Sequence, residues 1–565
     1  MHKKSPNRPN LDHTITRRRF LGTTALGSAA LLSGGITSLL RQSALASHGG
    51  FDFVEKSIPE LQAAMASGEL TSKDLVKGYL RRIGSLNSLL NSVIETNPNA
   101  VSIAQHLDNE RRKGHVRGPL HGIPVLVKDN IATDDNMQTT AGSLALLRSH
   151  VPADAVIIQQ LRAAGAVILG KANLGEWANF RGNDNVYPLA VGWSARGGSA
   201  NNAYDLSYTS WGSSAGSGNG AAANLCSVAV GTETDGSITG PSAVENVVGL
   251  KPTVGLVSQD GIIPIAHEQD TAGPMGRSVT DIAILLGALQ SPFGEVIGHQ
   301  LPSDYTQFLD PNALDGAVIG RDIRFFDYSY FGSGIPGDEL TVAFAENALT
   351  VMESLGATVV DVDTGDVFAY TNDEFTALLY EFRAQIADYL ATLTHTDMRT
   401  LADLIAFNNA HCQQELVYYG QEVFEQSEQL PGYPNDPNYI AARTHARTTA
   451  RSGIDNVINS GVDAIVAPHL TNSTGPAVSG YPNLSLPVGI RNSGRPAGML
   501  MYSTFLHEPQ LIGFGYALEQ ALNVRQQPQF LGSVIPIPNA GLCTGQPRQP
   551  EGFTGAARLL HPRIW

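Results

Sequence analysis

Residues 211–242, WGSSAGSGNGAAANLCSVAVGTETDGSITGPS, decide how the rest of the chain is read. Two small-residue loops stand in it, Gly212-Ser213-Ser214-Ala215-Gly216 and Thr234-Asp235-Gly236-Ser237-Ile238. A run of Gly, Ala and Asn leads from the first loop into Val228-Ala229-Val230-Gly231. The pattern predicts a turn, a close-packed helix, a buried strand and a second turn. Small side chains let backbones approach closely, and glycine tolerates backbone angles that other residues resist. A flexible Gly/Ser linker would not carry Val-Ala-Val between its serines. Serines on two such loops expose hydroxyls and backbone N–H groups at one place. Acyl transfer requires that combination of a nucleophile and donors aimed at a developing oxyanion.

Outward from this stretch, helix–glycine–strand units recur. Residues 154–164 are helical in pattern, Gly165 stops them, and Ala166-Val167-Ile168-Leu169 reads as a strand. Residues 340–355, Gly356 and Ala357-Thr358-Val359-Val360 repeat the grammar, and 454–458 followed by Asp463-Ala464-Ile465-Val466-Ala467 does so again. Glycine just past a helix is a stop signal, and alternating units imply an α/β fold. The expected architecture is a mixed, mostly parallel central sheet covered by helices on both faces. Near residue 71, Thr71-Ser72-Lys73-Asp74 resembles a capping box, and Leu75, Val76, Tyr79, Leu80 and Ile83 then share one helix face. Residues 372–451 read as a helical insertion rich in Tyr, Phe and Gln, whose roles are packing over the sheet or walling a cleft. The last thirty residues, rich in Pro and Gly, read as an irregular strap.

The first 46 residues stand apart. Thr16-Arg17-Arg18-Arg19-Phe20-Leu21 matches the twin-arginine export pattern, and a mildly apolar region ends at Ala44-Leu45-Ala46, an A-x-A cleavage site. Residues 1–46 therefore read as a signal peptide, residues 47–565 as a single domain, and the expected location is periplasmic or secreted. The full chain of 565 residues has a net charge of −15; removing seven Lys/Arg and one Asp with the leader gives −15 − 6 = −21. Such an acidic chain argues against nucleic acid or an anionic membrane as partner. No later stretch is apolar for long enough to suggest a stable membrane anchor. The three cysteines, Cys226, Cys412 and Cys543, are too few for a disulfide framework, and Cys226 reads as a buried thiol in the small-residue helix.

A third element joins the two loops. In GPLHGIPVLVKDN, residues 118–130, the apolar run 123–127 reads as a buried strand with Lys128 at its end. A lysine at a strand end ordinarily reaches for water; beside two serine loops, it becomes a candidate base. Together, Lys128 after HGIPVLV, GSSAGSG around Ser213 and GTETDGSI around Ser237 resemble the amidase signature family. Further landmarks are Thr139–Ser143, Gly170–Leu174, Gly249–Thr253, Gly273–Val279 and Gly480–Pro487. The resemblance covers roughly Ser57 to Phe530, and the GTETDGSI and GLVSQDGIIPI wording is most similar to the peptide-amidase branch.

That resemblance implies a Ser–cisSer–Lys triad. Ser237 would be the nucleophile, Ser213 the bridging serine after a cis peptide bond, and Lys128 the base. The backbone N–H groups of Thr234, Asp235, Gly236 and Ser237 would form the oxyanion hole, with no metal and no cofactor required. The expected substrate is a small-molecule or peptide amide, cleaved through an acyl-enzyme. A base must be neutral, so a lysine of ordinary pKa about 10.4 needs lowering to near 7, about 4 kcal/mol, which burial can supply. One departure is Thr239, where many family members carry arginine; this weakens any recognition of a substrate carboxylate there. Two other readings compete. Gly212–Gly216 also fits the nucleophile elbow of α/β-hydrolases, with Ser214 as nucleophile, but this leaves Lys128 and the second loop unexplained. A non-hydrolytic, amidotransferase-like protein that works on charged tRNA is opposed by the export pattern and the acidic charge.

Overall fold

Residues 51–182, 191–327, 330, 338–537, 539 and 543 are described by the structure, a computed structural model. The expected leader, residues 1–46, lies outside them. Among the described residues one sheet has eleven strands. These are β1 (Val93–Thr96), β2 (Pro124–Lys128), β3 (Val167–Ala172), β4 (Val228–Glu233), β5 (Val248–Lys251) and β6 (Thr271–Gly276). They continue with β7 (Val318–Asp322), β8 (Thr358–Val362), β9 (Ala464–Pro468), β10 (Asn483–Ile490) and β11 (Pro496–Tyr502). Their order across the sheet is β1-β3-β2-β4-β6-β5-β10-β11-β9-β7-β8.

Strands β2, β3, β4, β6 and β9 are buried along their whole length. That is the setting of strands covered on both faces, and it explains their near-continuous apolar runs. The edge strands differ: β1 and β8 are mostly only partly buried, with Glu95 and Asp361 on them.

The sheet is mixed, but its parallel pairs are a minority. Among the described residues four pairings are parallel and six antiparallel. The helix–glycine–strand units supply three of the parallel pairs, β3 beside β2 and β7 beside both β8 and β9, and the fourth is β2 beside β4. In the first unit the helix Val156–Ala163 ends at Gly165, whose φ of 82° fits the left-handed stop. The antiparallel majority comes from segments whose apolar runs do not declare direction. β10 and β11 are a hairpin joined through 491–495, and β6 runs against both β4 and β5.

Thr71 caps the helix Ser72–Leu90 by accepting from the Asp74 N–H, and Leu75, Val76, Tyr79 and Ile83 are buried while Leu80 is half-buried. Between β8 and β9 lie the helices Thr371–Thr392, Leu401–Ala410, Cys412–Glu415, Glu422–Glu428 and Pro437–Asn459. Several of their aromatics pack rather than line a cleft. Phe382 stacks on Phe424 with centroids 5.2 Å apart, and both Phe375 and Phe382 meet Phe180. Cys412 and Cys543 form a disulfide, and Cys226 is the buried free thiol. The bond joins residues 131 apart in sequence, which is why spacing alone did not suggest it. Among the described residues no helix is long and apolar enough to cross a membrane.

Candidate active site

Lys128 is the last residue of β2, flanked by β3 and β4, and is fully buried. The strand ends where the first turn of the helix Ala215–Ala222 and the end of β4 converge on it. Its Nζ lies 2.7 Å from Ser213 Oγ, 3.0 Å from Ser214 Oγ, and 3.0 and 2.9 Å from the Thr232 carbonyl oxygen and Oγ1. Burial pushes its pKa down to about 7, against the opposing pull of the Asp270 and Glu233 carboxyls. A dry site disfavours the ammonium form. At neutral pH the lysine is thus poised between charged and neutral.

The Gly212–Ser213 peptide bond is cis. The Ser213 carbonyl accepts from Gly175 N–H at 2.9 Å, and the Ser214 N–H donates to the Ser237 carbonyl at 3.1 Å. That second bond ties the two serine loops together. Ser213 and Ser214 are buried completely, whereas Ser237 keeps 8 % of its surface exposed. Ser214 is committed elsewhere: its hydroxyl donates to the Thr232 carbonyl at 3.0 Å and accepts the Thr232 N–H at 3.1 Å. A hydroxyl with one proton cannot also present it to a substrate. Lys128 thus faces a carbonyl and an already-donating hydroxyl on one side, and Ser213 on the other.

The turn after β4 is held from inside. Glu233 Oε2 accepts the N–H groups of Ile238 and Thr239 at 2.7 and 2.8 Å, and the Thr239 hydroxyl at 3.1 Å. Thr239 therefore lies buried against a carboxylate rather than presenting a side chain to the cleft. Thr234 Oγ1 donates to Asp270 Oδ1 at 2.5 Å, and Thr474 Oγ1 donates to Asp235 Oδ2 at 2.8 Å. Among the described residues no acceptor takes the N–H groups of Thr234, Asp235, Gly236 or Ser237. Four successive unspent donors make a concavity that favours negative charge. Gly236 has φ 75°, and a Cβ there would press on Ser473 Oγ and the Trp211 ring at 3.2–3.4 Å. No other residue fits that position easily. Beside the loop, Asn130, Thr232, Thr234, Ile262, Ile265 and Asp270 line a small pocket. Burial raises the Asp270 carboxyl to about 7.

Of the sequence-derived residues, Lys128 and Ser213 are in hydrogen-bond contact, and the Ser214 N–H bond to the Ser237 carbonyl brings the Thr234–Ser237 loop beside them. Sequence reading passed over Glu233, Thr232 and Asp270. Glu233 was visible inside GTETDGSI, the sole acidic residue on an otherwise uncharged strand, and that was the available signal. Asp270 is 36 residues from its partner Thr234, and nothing local marks it.

The amidase family model matches residues 74–477. A probable amidase of Arabidopsis thaliana is 38% identical over 516 residues, covering 90% of this chain and 96% of that protein. The crystal structure of native peptide amidase from Stenotrophomonas maltophilia is 45% identical with a TM-score of 0.78, covering 85% of this chain and 99% of that one. A glutamyl-tRNA(Gln) amidotransferase component from Halorhodospira halophila is 30% identical, over 84% of this chain and 98% of that one. Two buried serine loops around a buried lysine, on a mixed sheet shared with these proteins, lead to one assignment: the chain belongs to the amidase signature family and is a hydrolase acting on amides.

Proposed function

We propose that Ser237 is the nucleophile, Ser213 the bridging serine and Lys128 the base. The observation that carries this reading is the 2.7 Å approach of Lys128 Nζ to Ser213 Oγ, in a site dry enough to bring the lysine to about 7. As Ser237 attacks the amide carbonyl, its proton passes to Ser213 while the Ser213 proton passes to the Lys128 lone pair. The N–H groups of Thr234, Asp235, Gly236 and Ser237 receive the oxyanion. The reverse relay protonates the leaving amine, and water then enters by the same route to release the acid. Labelling with a fluorophosphonate, read by peptide mass spectrometry, tests the assignment. The label is expected on Ser237; a label on Ser214 would return the case to the elbow reading.

For substrate, the reading is the C-terminal amide of a peptide. It is supported by the 45% identity to a peptide amidase and by the uncharged, buried Thr239, which leaves no cation two positions after Ser237. Comparing kcat/KM for peptide amides, short aliphatic amides and aryl amides tests it, because that ratio measures discrimination. Peptide amides are expected to lead. A clear preference for short aliphatic amides would remove the peptide reading and leave the triad standing.

A further inference from the structure

The carbonyls of the candidate oxyanion loop are held from behind, and those holds fix where its N–H groups point. In a planar trans peptide the C=O of one residue and the N–H of the next point in opposite directions. The peptides from Thr234 to Ile238 are trans. The Gly236 carbonyl accepts the Gly240 N–H at 2.8 Å, which aims the Ser237 N–H the other way. For the Asp235 N–H the corresponding carbonyl is that of Thr234, and its donor is a side chain, Gln269 Nε2 at 3.0 Å. Strand register brings Gln269 there. β4 and β6 pair antiparallel with Glu233 opposite Thr271, so continuing the register sets Thr234 against Asp270 and Asp235 against Gln269. The Thr234 Oγ1 bond to Asp270 Oδ1 follows from that placement. Asp270 Oδ2 accepts the N–H groups of Ile265 and Ala266 at 2.7 and 3.0 Å, and the Gln269 N–H donates to the Ala266 carbonyl at 2.9 Å. The turn that carries Gln269 is therefore fixed. Its side chain is 4 % exposed, and Nε2 also donates to Glu374 Oε1 at 2.6 Å, in the first turn of the helix Thr371–Thr392. Both partners are acceptors, which sets the amide nitrogen toward them.

We propose that Gln269 is a positioning residue for the amide hydrolysis: by holding the Thr234 carbonyl it aims the Asp235 N–H at the oxyanion, and Glu374 keeps the Gln269 amide in that orientation. This rests on the reading of Thr234–Ser237 as the oxyanion hole. The Ser237 donor is aimed by backbone, whereas the Asp235 donor depends on a side chain and is loosened by one substitution. Gly236, with no Cβ to restrain the next peptide, makes an outside hold on this stretch necessary. A donor that meets full negative charge only in the transition state lowers the barrier without tightening ground-state binding. Its loss should therefore show in kcat more than in KM.

The test uses the full-length protein, Gln269→Met, which is similar in length and cannot donate, and Glu374→Leu, which frees the amide but leaves it in place. The probe is a trifluoromethyl ketone built on the acyl group of the best amide substrate, with carbon-13 at the ketone carbon. Attack by Ser237 Oγ turns the ketone C=O into a hemiketal C–O⁻, and the carbon-13 shift against pH reads its ionisation. Lys128 is common to all the proteins compared, so differences between them report the donors. Gln269→Met is expected to lower kcat about tenfold or more with KM changed less, and to make the hemiketal about tenfold harder to ionise. Glu374→Leu should move both the same way by less. The double variant should be no worse than Gln269→Met, because Glu374 acts through Gln269. A purely structural role would leave fewer active sites, which weakens the signal without moving the hemiketal pKa. An unchanged hemiketal pKa in Gln269→Met would overturn the proposal, as would losses that multiply in the double variant. If the methionine variant does not fold, an unchanged hemiketal pKa in Glu374→Leu overturns it equally. A wild-type adduct that mass spectrometry places on another serine would remove the oxyanion reading and this proposal with it. An adduct on Ser237 that ignores Gln269 would remove this proposal alone.

Discussion

At the scale of single residues, the proposed relay depends on one lysine being kept out of water. The Lys128 pKa of about 7 comes first from burial, with Asp270 and Glu233 pulling the other way. The active form is the neutral amine, so kcat/KM should rise from acid pH through an ionisation near 7 and level off above it. A pH–rate profile measured on the free enzyme checks this, and a limb centred near 10 would show an unshifted lysine. Ser237→Ala should abolish acylation, while Lys128→Ala and Ser213→Ala should lower kcat/KM by about three to four orders of magnitude. Combining any two should add little if, as proposed, the three groups share one proton path. Single- and double-variant kinetics, with circular dichroism to confirm folding, decide between a relay and independent contributions. Ser214 shows why adjacency in sequence misleads: it stands next to Ser213, yet its proton belongs to the Thr232 carbonyl.

At the scale of elements, the site is the meeting of a strand end, a helix start and a turn closed by Glu233. Each was legible from local pattern: the apolar run before Lys128, the small residues of Ala215–Ala222, the glycine at 236. The helical insertion was also legible as helix, but its work was not. Glu374 and Gln269 lie 105 residues apart, and only folding brings them to Thr234. The same holds for the Cys412–Cys543 disulfide, which ties residue 543 to the insertion. Alkylation after denaturation without reductant should modify Cys226 alone, and with reductant all three cysteines. Mass spectrometry reads this directly, and three modified cysteines without reductant would refute the bond. In the chain-entropy account, Cys412→Ser should cost at most about 5 kcal/mol of stability, seen as a lower Tm.

At the scale of the whole molecule, we propose export. The twin-arginine pattern at Arg17-Arg18 and the Ala44-Leu45-Ala46 site motivate it, and a disulfide is at home in an oxidising compartment. N-terminal sequencing of secreted or periplasmic protein should begin near Ser47. An intact Met1 end on cytoplasmic protein would sink the proposal. The mature chain would carry a net charge of −21, that is −15 − 6, which would keep anionic surfaces and nucleic acid at a distance.

By itself the sequence determined the α/β class and the strand and helix identities near the site, and it singled out Lys128, Ser213 and Ser237 as the candidate relay. These are properties of short segments, where apolar period, small-residue runs and glycine stops act over a few residues. Only the tertiary structure decided the direction of the central strands, the majority antiparallel pairing, the Cys412–Cys543 bond, and the partners of Glu233, Asp270 and Glu374. A strand buried on both faces looks the same in either direction, because its side chains report burial and not polarity. A buried carboxyl likewise takes its meaning from partners far along the chain, since in a dry interior its neighbours decide where its proton resides.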